Sequence, residues 1–175
     1  MKFSNIKFLT LTLLVVLTSF QSYAQINKAE IIATGLTCSM CSNAINKQLK
    51  SITEVDSVGT DLNTNTFTVY FKKNTVLQPK VLKNAVEKAG FFVGSMVVTM
   101  KTDPSKIQNN SVKTDAGTFI FIDAKNPITS TEASYQVLDK GFVTQKEYKK
   151  LAKTYAKKDT YNVENENDYH LKSIK

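Results

Sequence analysis

The chain has 175 residues, with 23 basic and 15 acidic side chains and a formal net charge of +8. Every basic residue is lysine, and arginine is the residue that reads phosphates and base edges with paired hydrogen bonds, so the composition argues against nucleic-acid binding. The positive charge instead favours solubility or docking to an acidic partner.

The chain begins with the pattern of a secretory signal peptide, which we assign to residues 1–24. Lys2 and Lys7 precede an uncharged apolar run of 13 residues, and Ser22 and Ala24 are the small residues expected before a cleavage site. A membrane-spanning helix needs about 20 apolar residues, which disfavours an uncleaved anchor. We therefore expect an exported protein, periplasmic or secreted, with no stable membrane insertion after cleavage.

Residues 28–100 show the periodicities of strand, helix, strand, strand, helix and strand in that order. This βαββαβ order is typical of a ferredoxin-like α+β sandwich, in which two helices cover one face of a four-stranded antiparallel sheet. The strands are predicted at 29–36, 55–62, 66–71 and 91–100, and the helices at 39–51 and 78–89.

The remainder of the chain is less regular. Residues 101–110 are polar and contain Pro104, which is typical of a linker. Residues 111–175 are predicted to form a small α+β C-terminal extension, either a module of its own or a segment packed on the first domain, and the sequence indicates no role for it. Its predicted elements are strands at 117–123 and 133–139, a helix at 144–158 and a polar tail or terminal strand after it.

Several side chains in the chain receive ordinary structural interpretations. We expect Tyr148 and Tyr155 to pack in the core and the lysines between 146 and 158 to form a solvated helix face. His170 is expected to be a solvated residue of the tail. Met40 is expected to be an exposed loop residue rather than a metal ligand.

Cys38 and Cys41, the two cysteines of the chain, fit a metal site, a redox pair or a structural disulfide. A bridge across so short a loop removes little unfolded-state entropy, which disfavours the structural disulfide. A structural zinc site needs four ligands; the sequence adds one histidine, so two molecules would have to share such a site. Two thiolates alone suit Cu(I) or Hg(II). The start of a helix stabilises thiolates for metal binding and for redox chemistry alike, so both remain open.

The stretch GLTCSMC, Gly35 to Cys41, resembles the Gly-Met-Thr-Cys-x-x-Cys signature of heavy-metal-associated domains. The family includes soluble copper chaperones, N-terminal modules of copper-transporting P-type ATPases and periplasmic mercury-binding proteins. The resemblance covers about residues 28–100. It continues through the apolar positions Ile45, Leu49, Ile52 and Val55 and through VEKAGF at 86–91.

The resemblance implies the roles of five residues around the loop. Cys38 and Cys41 would be the metal ligands, Thr37 would shape the loop, Leu36 would pack beneath it, and Phe91 would partly shield it. The family usually has Met at the position of Leu36, and soluble copper chaperones often carry Lys near that of Phe91.

The resemblance also implies a function without catalysis. We expect Cu(I) binding and transfer, with Hg(II) or Zn(II) as other cargoes and a protein with exposed thiols as donor or acceptor. No catalytic residue and no further cofactor site are expected. Two alternatives remain: a thiol–disulfide oxidoreductase, because an oxidising compartment converts unmetallated thiols to a disulfide, and a metal sensor acting on the C-terminal extension.

Overall fold

The computed structural model describes residues 24–37, 39–123, 132–158, 160–161 and 167–174. Within these ranges eight strands form one sheet in the order β2-β3-β1-β4-β7-β8-β6-β5. The elements are β1 (Ala24–Thr34), α1 (Ser39–Lys50), β2 (Val55–Asp61), β3 (Thr66–Phe71), α2 (Pro79–Lys88), β4 (Phe92–Thr102), a 3-10 turn (Pro104–Lys106), β5 (Ser111–Thr114), β6 (Gly117–Phe121), β7 (Glu132–Val137), α3 (Gln145–Thr154) and β8 (Asp168–Ser173).

The first half of the chain has the predicted ferredoxin-like fold. Strand β1 lies between β3 and β4 and is antiparallel to both, with Ile31 opposite Phe67 on one side and Met96 on the other. Strand β1 begins at Ala24, five residues earlier than predicted. The extra residues pair across a bulge with the end of β4, which itself extends to Thr102, so backbone pairing lengthens both strands beyond their apolar pattern.

The core lies between the sheet and the two helices. Ala29, Ile31 and Ala33 alternate into it from β1 and are at most 3% exposed, while Ile32 between them is 43% exposed. This alternation follows the pleat of a strand with one buried face. Helix α1 contributes Ile45 and Leu49, both completely buried, at the spacing that puts residues on one side of a helix.

The C-terminal extension continues the same sheet. Strand β7 pairs antiparallel with β4, β8 pairs antiparallel with β7 and parallel with β6, and β5 and β6 form a hairpin. The segment predicted as a linker, 101–110, contains the end of β4, the 3-10 turn and an isolated bridge between Gln108 and Ser111. Of the two predictions for the end of the chain, a polar tail or a terminal strand, the structure shows the strand, β8.

Aromatic side chains fill the core of the extension. Phe119 and Tyr169 stack with their ring centroids 5.5 Å apart. Tyr161 is 3% exposed and lies against the rings of Tyr148 and Tyr155. These last two side chains are half-buried, so they pack against the core of the extension without being fully enclosed in it.

The prediction of a solvated His170 is wrong. His170 is 2% exposed in β8, and its Nδ1 lies 2.7 Å from Oδ1 of Asp139. Its backbone N–H donates to Oδ2 of Asp139 at 2.7 Å, and Nε2 lies 3.1 Å from the hydroxyl of Thr160. Both ring nitrogens therefore have partners, which removes most of the cost of burying the imidazole.

No helix in the described part of the chain combines the length and the hydropathy that crossing a membrane requires.

Candidate functional site

The loop between β1 and α1 begins at a glycine with left-handed backbone. Gly35 has φ +87°, a conformation that costs other residues steric strain. It turns the chain out of β1, and α1 begins four residues later at Ser39. Cys41 lies in the first turn of α1 and is partly exposed. Cys38 lies outside the described residues, so its role as a ligand stays a prediction.

The end of α2 fixes the position of Phe91. Gly90 has φ +89°, its N–H donates to the carbonyl of Glu87 at 2.8 Å, and the N–H of Phe91 donates to the carbonyl of Val86 at 3.2 Å. These two bonds form a Schellman motif, which ends the helix and sets the direction of the residue that follows. Phe91 is thereby held at the entry to β4.

The two corners of the fold, one before α1 and one after α2, meet at this end of the sheet. Cδ1 of Phe91 lies 3.9 Å from the position that a β-carbon would take on Gly35. The Phe91 ring is half-buried and packs against the core. The structure thus brings Phe91 beside the loop, as the predicted shielding role requires, and the shielding itself remains a prediction.

The other two predicted loop residues differ in burial. Leu36 is partly buried and packs against the core, whereas Thr37 is exposed. Next to them is an open cavity of ≈ 250 Å³, which gives the loop free space toward the turn between β2 and β3. The cavity is lined by Leu36, Thr37, Ser39, Ser42, Leu62 and Asn65.

Large apolar side chains are exposed around the loop. Met40 is 81% exposed, as predicted, but it lies in the first turn of α1 rather than in the loop. Phe92 and Leu62 are 69% and 56% exposed. Phe92 is paired with Thr34 at the end of β1, and Leu62 borders the cavity beside the loop. Sequence reasoning did not single out Phe92 or Leu62. The adjacent pair Phe91–Phe92 was the available signal, because successive strand residues point to opposite faces and both cannot be buried in one core.

The described residues include no cluster of three or more His, Cys, Asp or Glu side chains able to hold a metal ion. His170, the histidine that the sequence offered as a further ligand, has its ring nitrogens at Asp139 and Thr160 in the C-terminal half of the sheet. Of the two predicted ligands, Cys41 in the first turn of α1 is the one that the described residues contain.

Comparison with known proteins places a family match on this region. The profile of the heavy-metal-associated domain matches residues 30–92, which contain both cysteines and Phe91. No curated protein sequence matches the chain significantly.

Solved structures of small metal-binding domains are similar to part of the chain. The yeast copper transporter domain CCC2A is 28% identical, covering 38% of this chain and 90% of its own, with a TM-score of 0.34. The N-terminal domain of a potential copper-translocating P-type ATPase from Bacillus subtilis is 33% identical, covering 38% of this chain and 82% of its own, with a TM-score of 0.34. The CopZ metallochaperone is 24% identical, covering 38% of this chain and 97% of its own, with a TM-score of 0.35.

Proposed function

Residues 30–92 of this chain belong to the heavy-metal-associated domain family, and on that premise we propose that the chain binds and transfers a soft metal cation, with Cu(I) as the cargo, through Cys38 and Cys41. The observation that carries the proposal is the position of Cys41. It is partly exposed in the first turn of α1, where the positive end of the helix stabilises a thiolate.

Two thiolates, with no cluster of further ligands among the residues that the structure describes, favour a cation that accepts two-coordinate, near-linear binding. Cu(I) and Hg(II) meet this condition, whereas a closed zinc site needs four ligands. We propose Cu(I) ahead of Hg(II) and Zn(II) because two of the three groups of proteins that the stretch Gly35–Cys41 resembles, the copper chaperones and the copper-transporting ATPases, handle copper, whereas one handles mercury.

Transfer needs no catalysis on a substrate. A thiolate of the partner binds the ion while both cysteines of this chain still hold it, giving a three-coordinate shared state. One of the two thiolates then leaves, and a second thiolate of the partner binds in its place. When the remaining cysteine of this chain leaves, the ion is held by the partner alone, with its oxidation state unchanged. The exposure of the loop and the cavity of ≈ 250 Å³ beside it leave room for the incoming thiol.

The test is anaerobic titration of the chain from residue 25 with Cu(I), Hg(II) and Zn(II) in competition with a chromogenic chelator. We expect one Cu(I) per chain and loss of tight binding in Cys38→Ser and in Cys41→Ser. Met40→Leu, which removes the exposed thioether between them, is the matched control and retains the affinity. Tight stoichiometric binding by the Cys38→Ser, Cys41→Ser double variant would contradict the proposal.

We also propose that the chain is exported and cleaved after Ala24. Strand β1 begins at Ala24, so cleavage after Ala24 removes one residue of the strand, the one paired with Thr102. The mass of the protein recovered from the periplasm or medium tests this: a chain beginning at Gln25 is expected, and a full-length chain retained in the cytoplasm would contradict it.

A further inference from the structure

Helix α3 carries two opposite faces. At 100° per residue, Lys146, Lys149, Lys150 and Lys153 fall within an arc of about 100° on one side, and all four are exposed. The opposite side carries Tyr148, Leu151, Ala152 and Tyr155, which are half-buried. We call the first set the lysine face of α3.

The lysine face makes no ion pair in the ranges that the structure describes. None of its four ammonium groups has a carboxylate there within ion-pair distance, and the helix itself carries a single acidic residue, Glu147. Neighbours three and four positions apart on a helix repel each other when they carry the same charge. The face therefore presents a concentrated positive potential that a negatively charged surface would relieve.

The start of α3 lies close to the candidate metal-binding loop. The bridge between Ser95 and Val143 brings the segment before α3 alongside β4. Thr144, which caps the helix by accepting a hydrogen bond from the N–H of Glu147 at 3.2 Å, has its Cγ2 3.9 Å from the position of a β-carbon on Gly94. The Cγ2 of Thr34 lies 2.5 Å from the same position, and Thr34 immediately precedes Gly35.

From this geometry we propose that the lysine face of α3 is a docking surface for an acidic protein partner, and that this partner is the donor or acceptor of the metal. A standard interface covers about 800 Å² per partner, or about 30 Å across. An interface of that width is large enough to cover α3, which is about 15 Å long, together with the loop at the end of β1, because the helix begins beside Thr34. The identity of the partner as a metal exchanger rests on the proposed function, and the docking itself does not.

Two other anionic partners fit the observations less well. A helix that lies on a membrane buries an apolar face in the lipid, but Tyr148 and Tyr155 of α3 are turned inward against Tyr161. Proteins that bind nucleic acids use arginine, together with lysine, for the commonest contacts to bases, and this chain contains no arginine.

The docking is tested without metal, on the full mature chain with Cys38→Ser and Cys41→Ser. The probe is a fluorescein-labelled peptide of alternating glutamate and glycine, and the readout is its anisotropy from 20 to 300 mM salt. Changing Lys146, Lys149, Lys150 and Lys153 to Gln is expected to weaken binding roughly tenfold or more at low salt, because exposed charge pairs each contribute a modest amount that salt screens.

The matched control changes Lys73, Lys88, Lys113 and Lys172 to Gln. These four lysines are also exposed, so both variants lose the same net charge. The control is expected to weaken binding less than about threefold. Equal weakening by the two variants, or no binding of the peptide by the starting protein, overturns the proposal. The proposal is also overturned if the lysine-face substitutions weaken binding to vesicles of phosphatidylglycerol more than they weaken binding to the peptide.

A second arm separates docking from metal exchange. The chain with both cysteines, loaded with Cu(I), is mixed with the acidic peptide extended by Cys-Gly-Gly-Cys, and the rate of Cu(I) transfer is followed by stopped flow. Slower transfer from the lysine-face variant than from the control supports the role of the face in exchange. If the protein docks the peptide but neither the lysine-face variant nor the control variant binds Cu(I), the metal function is refuted and the docking surface is not. Equal transfer rates of the two variants refute the role of the lysine face in metal exchange.

Discussion

Cδ1 of Phe91 lies 3.9 Å from the position that a β-carbon would take on Gly35. The two residues belong to different corners of the fold, and each corner depends on a glycine with positive φ, Gly35 at +87° and Gly90 at +89°. The same contact therefore joins the start of the candidate metal-binding loop to the end of α2. Four predictions follow from this region and from the buried polar groups of the extension.

Replacing Gly35 by alanine tests the loop conformation. Alanine in left-handed backbone costs about 1–2 kcal/mol, so urea unfolding should show a loss of this size. Gly141→Ala is the control, because Gly141 has nearly the same φ, +85°, and the atoms nearest to an added β-carbon there belong to the flexible side chain of Lys83. We expect similar loss of stability in both and weaker Cu(I) binding, by chelator competition, in Gly35→Ala. Equal loss of Cu(I) affinity in Gly141→Ala would contradict a local effect of the loop.

Removing the ring of Phe91 tests its shielding role. Phe91→Ala should lower the free energy of unfolding by about 2 kcal/mol, less than a fully buried phenylalanine because the ring is half-buried. Release of Cu(I) to a chelator should become several-fold faster, as the loop becomes more accessible. Phe92→Ala removes the neighbouring ring, which is 69% exposed, and should change stability by less than about 0.5 kcal/mol. An unchanged release rate in Phe91→Ala would exclude shielding.

The contact between Asp139 and His170 is expected to stabilise the extension without affecting metal binding. Asp139 accepts from the backbone N–H of His170 at 2.7 Å and lies 2.7 Å from its Nδ1. Asp139→Ala leaves these buried groups without their partner, which should cost about 2–3 kcal/mol. The control Asp115→Ala, at an exposed position, should cost far less. Calorimetry measures both, and an altered Cu(I) stoichiometry in Asp139→Ala would show that the extension takes part in the site.

Tyr161 is expected to make the protein less stable as the pH rises into the alkaline range. Burial raises the pKa of Tyr161, and the charge of Asp139 raises it further. The unfolded residue ionises near pH 10 while the folded residue stays neutral, so stability is present below pH 10 and falls as pH rises above it. Tyr161→Phe should make this fall shallower by up to about 1.4 kcal/mol per pH unit.

The same substitution has a separate cost at neutral pH. The hydroxyl of Tyr161 donates to the carbonyl of Leu138 at 2.7 Å, and losing this bond should cost about 1 kcal/mol at pH 7. Urea unfolding from pH 9 to 11 measures the slope, with Tyr70→Phe at an exposed position as control. A slope in Tyr161→Phe equal to that of the unmodified protein would contradict the prediction.

The sequence predicted the first half of the fold because its signals are local. The apolar alternation of β3 and the helical spacing of Ile45 and Leu49 depend on one element at a time, and the turn glycines mark their ends. The start of β1 was missed because residues 24–28 are held by pairing with β4, which no local pattern expresses. Strand β5 was missed because its four residues, Ser111–Thr114, include one buried apolar side chain, Val112.

The candidate site was predicted as a set of residues rather than as a geometry. Family resemblance named Phe91, but only the structure shows its position beside Gly35. His170 was misread because its burial depends on Asp139, 31 positions earlier in the chain. The exposure of Leu62 and Phe92 likewise depends on which face of each strand the helices leave uncovered. Such pairings between distant segments were not recognised in the sequence.

The pairing of β7 with β4 has a consequence for how the protein can be divided. In a four-stranded βαββαβ sheet of order β2-β3-β1-β4, β4 would be an edge strand with open N–H and C=O groups. Here Glu132–Gln136 cover Val97–Lys101 of that edge. A fragment ending at residue 103 would retain both cysteines and the whole family match. In that fragment, however, β4 would be an exposed edge strand that can pair with a second chain. If that fragment self-associates and the full chain does not, the extension is the part of the protein that prevents pairing between the β4 strands of two chains.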